Sequence, residues 1–414
     1  MIAYRAAWVC PIDQPPIRDG VVEVCDGLIV SVGNREPFDS AQGRPGAGSR
    51  ESSGIRDLGD VALMPGLINA HIHLELSWLR GRVPPANSFT DWVKLLIPTR
   101  RGIERAGDPV VMDAIAGAIA ELRESGTIAV GDISNSLASA GPMAAAGLRG
   151  VIFHELLGFQ ERDGTLVDVS RDARSAAASH GVPVSIAPHA PYSTSPELFR
   201  AIHNEVDRSA CRISSVHLAE SEEEVELLAS GTGPWRGMLE FIGAWRDDWA
   251  IPACGPAEYL EGLGVLDART LVVHGAQLTP GSLARVAGIG ATLVTCPRSN
   301  RWVGVGYPPI ERFYQSGVAV AIGTDSLASV EDLNLFNELK MLRYLAPSIA
   351  ARTFLESATL VGAKALGLDA DLGSLTPGKQ AAMITVDLRG HAGDVEEYLV
   401  NGIEPAQVKT VSAP

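Results

Sequence analysis

The feature that most narrows the fold is a rhythm. From Met64 onward, short aliphatic runs alternate with longer stretches of helical spacing, and each short run ends on a side chain able to do chemistry. The runs are "MPGLINAHIH" (64–73), "TIAVGDIS" (127–134), "GVIFHELLG" (150–158), "VPVSIAPHAPYS" (182–193), "RISSVHLAE" (212–220), "TLVVHGA" (270–276), "ATLVTCPRSN" (291–300) and "VAVAIGTDS" (318–326). Their length reads as strand, whereas segments such as "DPVVMDAIAGAIAELRES" read as amphipathic helix. Eight β-α units in about 310 residues predict an α/β fold, a (β/α)8 TIM barrel, with the chemistry at the C-terminal strand ends.

The chain ends carry a different pattern. "IAYRAAWV", "VVEVCDGLIVSVG" with its Asp-Gly turn, and "DLGDVALMPG" alternate like strands. In the tail, "GSLTPGKQAAMITVD" reads as a hairpin-like pair around Pro-Gly, with "EEYLVNG" and "VKTVSA" continuing the β character. The expected organisation is therefore a small β-sandwich domain from residues 1–63 and 373–414, enclosing a barrel of residues 64–372. The Gly-, Ser- and Arg-rich stretch around 36–56 reads as a surface insertion. With 46% hydrophobic residues a large core is expected, and the net charge of -15 argues against nucleic-acid or anionic-membrane partners. Five scattered cysteines, no signal-peptide pattern and no membrane-length apolar run suit a cytoplasmic protein.

His71 and His73 stand two apart in a strand, so both imidazoles share a face and can bite one metal ion. A bare His-x-His is weak evidence. It gains weight from His217, closing the fifth run, and Asp325, closing the eighth, which neighbours the first in a closed barrel. Three imidazoles and a carboxylate suit Zn2+, with Fe2+ or Mn2+ as alternatives. Asp325 is not needed as a helix cap, because "SVED" (329–332) offers its own capping serine. Glu220 lies at the barrel lip, where a proton shuttle is wanted. Glu222, Glu223 and Glu224 read as the solvated first turn of a helix. None of the five lysines falls between residues 95 and 339, so no carboxylated lysine from the middle strands can bridge two metals, and one divalent ion per chain is expected.

Taken in order, "PGLINAHIH", "HLAE", "VVHG", "CPRSN", "GTDS" and "GSLTPGK" make the chain resemble the amidohydrolase superfamily along essentially its whole length. The resemblance is to the mononuclear branch of aminohydrolases acting on purines, pyrimidines and triazines. It implies that His71, His73, His217 and Asp325 hold the metal. It further implies that Glu220 and His274 manage the hydrolytic water and the proton traffic, that Asp325 doubles as proton acceptor, and that the protein is a homodimer. The tail departs from the pattern at Gln380–Ala381–Ala382, where relatives often carry Ala-Asp.

"HLELSWLRG" followed by "NSFTDWVKLLIPTRR" is similar to the aminofutalosine deaminase group, which has Glu-x-Ser after His-x-His and Phe-x-x-Trp further on. The methionine-bearing segment and acidic pair usual in methylthioadenosine and S-adenosylhomocysteine deaminases are missing. The expected reaction is deamination of an aminated purine nucleoside, 6-aminodeoxyfutalosine of menaquinone biosynthesis foremost. Alternatives are a methylthioadenosine or S-adenosylhomocysteine, guanine or pterin deaminase, a triazine hydrolase, and a barrel that binds without catalysis. No ligand is missing, which disfavours the last.

Substrate contacts follow from position. Trp78 and Trp92 suit ring stacking, against a competing reading as helix packing. Arg80, Arg100 or Arg298 suits a benzoate. His189 suits sugar or ring atoms, and Glu155, Ser299 and Asn300 lie at strand ends beside the site. Asp132 and His154 read as buried hydrogen-bonders, and Glu75 as a specificity marker rather than a ligand. The tryptophan-rich 233–260 stretch reads as a lid or as rim packing.

Overall fold

The computed structural model describes residues 1–34, 54–101, 107–390 and 393–411. Strands from both chain ends build one seven-stranded sheet. They are β1 (Ile2–Val9), β2 (Ile17–Cys25), β3 (Leu28–Asn34), β4 (Gly54–Asp57) and β5 (Val61–Pro65), joined by two late strands. In barrel order follow β6 (Leu67–Ile72), β7 (Thr127–Ser134), β8 (Arg149–Leu156), β9 (Val184–Pro188), β10 (Ser214–Leu218), β11 (Thr270–His274), β12 (Thr292–Thr295) and β13 (Ala319–Ile322). The late strands are β14 (Met383–Asp387) and β15 (Val408–Val411), and the sheet order is β15-β14-β5-β1-β2-β3, with β4 parallel to β1.

The Asp-Gly turn forms as expected: Asp26 and Gly27 both take positive φ, 50° and 75°, the conformation a two-residue hairpin between twisted strands requires. The tail differs from expectation in two places. The Pro377-Gly378 turn does not fold a hairpin onto itself. Gly378 N and Ala381 N donate instead to Ile29 O and Gly27 O, and Ile29 N donates to Lys379 O, so the segment zips onto the β2–β3 turn. Val395–Leu399, expected as strand, is a helix, because Asp394 caps it by accepting from Glu397 N and its first turn carries Glu396 and Glu397. The expected surface insertion gives way to β4 at Gly54, and residues 35–53 lie outside the described residues.

The barrel is two parallel four-stranded sheets, β6-β7-β8-β9 and β10-β11-β12-β13, meeting at two seams. At one seam His217 N donates to His189 O (2.9 Å) and Ser214 Oγ to Ile186 O (3.0 Å). At the other, Thr324 N and Asp325 N both reach His71 O at 3.1 Å, while Asn69 Nδ2 donates to Thr324 Oγ1 at 2.7 Å. The second seam is tight because Gly323 has no side chain: a Cβ there would stand 2.7 Å from His71 Cβ and from His71 O. Outside, helices cover the strands. Pro109–Glu124 turns Val111, Ile115, Ala118, Ile119 and Leu122 inward, the i, i+4, i+7, i+8, i+11 stripe of an amphipathic helix. No helix among the described residues is long and apolar enough to cross a membrane.

Candidate active site

The two seams bring the histidines together. His71 lies one residue before the end of β6 and His73 one residue beyond it, their rings 5.0 Å apart; His217, near the end of β10, lies 4.9 Å from His71 and 5.4 Å from His73. One nitrogen from each lies within 4.8 Å of the others. Asp325 turns Oδ1 toward this trio, 3.5 Å from His73 Nε2 and 3.8 Å from His71 Nε2, while Oδ2 is held by Ser299 Oγ at 2.5 Å. Asp325 and His274 both take positive φ, 62° and 72°, a strained backbone for non-glycine residues that aims strand-end side chains inward.

The donor set fits a divalent cation. Both ring nitrogens of His71 are buried without a hydrogen-bond partner. Burial and the neighbouring imidazoles hold His71 and His73 well below the usual histidine range, and burial takes His217 down to about 4, so all three are neutral ligands in waiting. Burial also pushes Asp325 up to about 6. His217 Nδ1 faces the His189 carbonyl at 3.1 Å and Glu155 Oε1 at 3.5 Å, which places the proton on Nδ1 and leaves Nε2 for a metal. Glu155, His189 and His217 form a second grouping with ligand spacing that shares His217 with the first; Glu155 Oε2 accepts from Asn135 Nδ2 at 2.9 Å, and Oε1 faces His217 Nδ1.

Glu220 and His274 stand together, Oε1 to Nε2 at 3.5 Å, both almost fully buried. Asn300 Nδ2 reaches His274 Nδ1 at 3.1 Å and Glu220 Oε1 at 3.4 Å. Nδ1 of His274 therefore accepts, and Nε2 carries its hydrogen toward Glu220. Burial, with Asp325 and Glu224 nearby, raises the Glu220 carboxyl well above the usual range, the state of a group that takes up protons readily. The expectation that Glu222 to Glu224 face solvent fails for Glu224. It is fully buried and accepts from Ala219 N (2.9 Å) and Glu220 N (3.1 Å), so it holds the turn that presents Glu220. Ser329 is not a helix cap either. Asn334 caps the helix Leu335–Leu345, and the Ser329 hydroxyl joins Ser299 and Asp325.

A cavity opens over these groups, lined by polar and aromatic side chains. Of the residues expected at the substrate, His189, Trp92, Glu155 and Arg100 line it. Trp78, Arg80, Arg298, Ser299 and Asn300 do not. Trp78 is buried beneath Arg82, whose guanidinium lies 5.3 Å from the ring; Arg80 pairs with Glu121 on a half-exposed helix face; and Arg298 is neutralised by Asp332, Glu331 and Glu338. Long cationic and aromatic side chains pair locally when a partner is near, and sequence position alone does not reveal one. Asn300 sits one layer back, and Ser193 Oγ holds His189 Nδ1 at 2.6 Å. Asp132 and His154 are buried hydrogen-bonders as expected: Asp132 accepts from Leu74 N (2.8 Å), and His154 Nε2 meets Asn135 O (3.2 Å). His391 lies outside the described residues.

Sequence reasoning missed Leu76, Phe89, Leu96 and Tyr192 in the lining. Phe89 and Leu96 were recoverable, because with Trp92 they form an i, i+3, i+7 stripe on the helix Phe89–Arg100. Of the tryptophans in 233–260, Trp235 stacks on Tyr192 (3.9 Å, 12°) and backs the cavity wall, whereas Trp245 and Trp249 pack on Phe159 at the rim.

With this geometry in place, residues 62–412 match the amidohydrolase family. A 5-methylthioadenosine/S-adenosylhomocysteine deaminase of Nitratidesulfovibrio vulgaris is 32% identical over 94% of this chain and 84% of its own. An aminodeoxyfutalosine deaminase of Deinococcus radiodurans is 30% identical over 74% of each. Among solved structures, an adenosine deaminase of Xanthomonas campestris with bound zinc superposes with a TM-score of 0.81 at 26% identity, over 98% of this chain and 90% of that one.

Proposed function

The chain belongs to the amidohydrolase family and is a hydrolase of carbon–nitrogen bonds, and on that premise we propose that it deaminates an adenine-type nucleoside, with 6-aminodeoxyfutalosine the foremost substrate and Zn2+ the metal. The observation that carries the reading is the placement of Glu220. It is a buried, proton-avid carboxyl 3.5 Å from the His274 Nε2 that faces it, beside a neutral three-histidine cluster. His71, His73, His217 and Asp325 would hold the ion. Bound there, a divalent cation supplies Lewis acidity, which can bring the pKa of a coordinated water down to ~7.

The chain's own groups then do the proton work. Glu220 takes a proton from the hydrolytic water and returns it to the ring nitrogen beside the attacked carbon. His274, fixed by Asn300, offers Nε2–H to the oxygen that gains charge in the tetrahedral stage. Asp325, with Oδ2 anchored by Ser299, turns Oδ1 to the site, the oxygen that would also serve the ion; it takes the remaining hydroxyl proton and passes it to the amine, which leaves as ammonia. Phe89 and Trp92 flank the ring, and His189 stands on the sugar side.

Support for the substrate comes from the Phe-x-x-Trp motif, whose Phe89 and Trp92 line the cavity, and from the Deinococcus radiodurans relative. The Glu-x-Ser motif contributes through the scaffold, since Glu75 is turned into the loop after β7. Methylthioadenosine and S-adenosylhomocysteine are the second reading, favoured by the Nitratidesulfovibrio vulgaris relative. Ammonia release by the zinc-loaded protein from these three substrates, adenosine and guanine tests the reading. Preference for 6-aminodeoxyfutalosine supports it, preference for another purine corrects the substrate, and no release from any overturns it. Metal analysis on the same preparation is expected to find one ion per chain.

A further inference from the structure

Every acidic group lining the cavity has work assigned to it: Glu155 is tied to Asn135, Glu220 to Asn300 and His274, and Asp325 to Ser299. Arg100, the last residue of the helix Phe89–Arg100, does not. It is the one lysine or arginine lining the cavity among the described residues, and no hydrogen bond or ion pair engages its guanidinium. The contrast with Arg298, which meets three carboxylates, and Arg80, which meets one, is plain. It lines the same cavity as His73, Asn135, Glu155 and His189.

The same helix face offers a second unmet donor. Trp92, eight residues earlier and 7% exposed, has its indole N–H buried without an acceptor. An arginine and an indole N–H on one cavity wall, between apolar Phe89 and Leu96, call for a ligand that is apolar along its length and anionic at its end.

We propose that Arg100 sets substrate choice by pairing with a carboxylate carried at the end of the nucleoside remote from the reacting amine. The assignment rests on the deaminase reading for the position of that amine. It favours a single planar carboxylate, which a guanidinium grips through two parallel hydrogen bonds, over a phosphoryl dianion, for which one cation among several carboxylates is too little.

The test uses two probes of equal size on the metal-loaded protein: 5′-deoxy-5′-(carboxymethylthio)adenosine and its carboxamide. Calorimetry gives their affinities, and the change in adenine absorbance gives deamination. Wild type is expected to prefer the carboxylate by at least about tenfold, the scale of a charge-assisted hydrogen bond. In Arg100→Met that ratio falls to near one, and in Arg100→Lys, which keeps the charge without the fork, it is intermediate. Equal affinities in wild type, or a ratio unmoved in Arg100→Met, overturn the assignment. If the carboxylate binds preferentially through Arg100 but neither probe loses ammonia, the deaminase reading fails and the anion site stands. If neither binds, both are overturned.

Discussion

Two loops at the mouth of the barrel each bury a carboxylate and treat it in opposite ways. Beside the loop after β7, Glu75 accepts from Ser134 Oγ (2.7 Å), Asn135 N (3.0 Å), Ser136 N (3.0 Å) and Ser136 Oγ (2.6 Å). Beyond β10, Glu220 has one long hydrogen bond, 3.4 Å from Asn300, and an imidazole at 3.5 Å. The first carboxylate is saturated and shapes a loop; the second is under-satisfied and raised toward its protonated form. Burial alone does not mark a working carboxyl. The balance of hydrogen bonds does.

Breaking the pair apart tests that contrast. Glu220→Gln is expected to lower kcat by about a thousandfold, within the usual range for general acid–base groups, with metal content and unfolding midpoint unmoved. Retained turnover in this variant would erase the distinction. Glu75→Ala should do the reverse. Losing a carboxylate that four donors share costs about 3 kcal/mol in denaturant unfolding, and any fall in activity should follow the loosening of Asn135, which holds Glu155.

A smaller effect reads the turn under Glu220. Burial pushes Glu224 up to about 8 from an ordinary 4.5, so folding favours its protonated form. Its contribution is therefore complete below pH 4.5 and fades as the pH rises to about 8. Urea midpoints measured from about pH 5 to pH 8.5 should show this decline in wild type and a flatter profile in Glu224→Gln. A decline of equal size in the variant would assign it elsewhere. The smallest effect is expected at Arg80→Ala. Its ion pair with Glu121 lies half-exposed and clear of the cavity, so stability should move by no more than about 0.5 kcal/mol and kcat/KM not at all.

The sequence determined by itself the elements and the reactive strand ends. Alternating runs and amphipathic stretches are local patterns, and a His-x-His, a strand-end Asp or a Glu three residues beyond a His keeps its place in any register of the barrel. Trp92 and His189 were legible for the same reason. Tertiary structure decided which long side chains work together. Arg80, Arg298 and Trp78 share composition and neighbourhood with Arg100 and Trp92. Yet the first three meet their partners locally, while Arg100 and Trp92 are carried by one helix face over the cavity. Likewise Glu224 differs from Glu222 only by two steps round a helix, which turn it from solvent to the core. A group's function depends on what remains unpaired after folding, and pairing across the chain is a property of three dimensions.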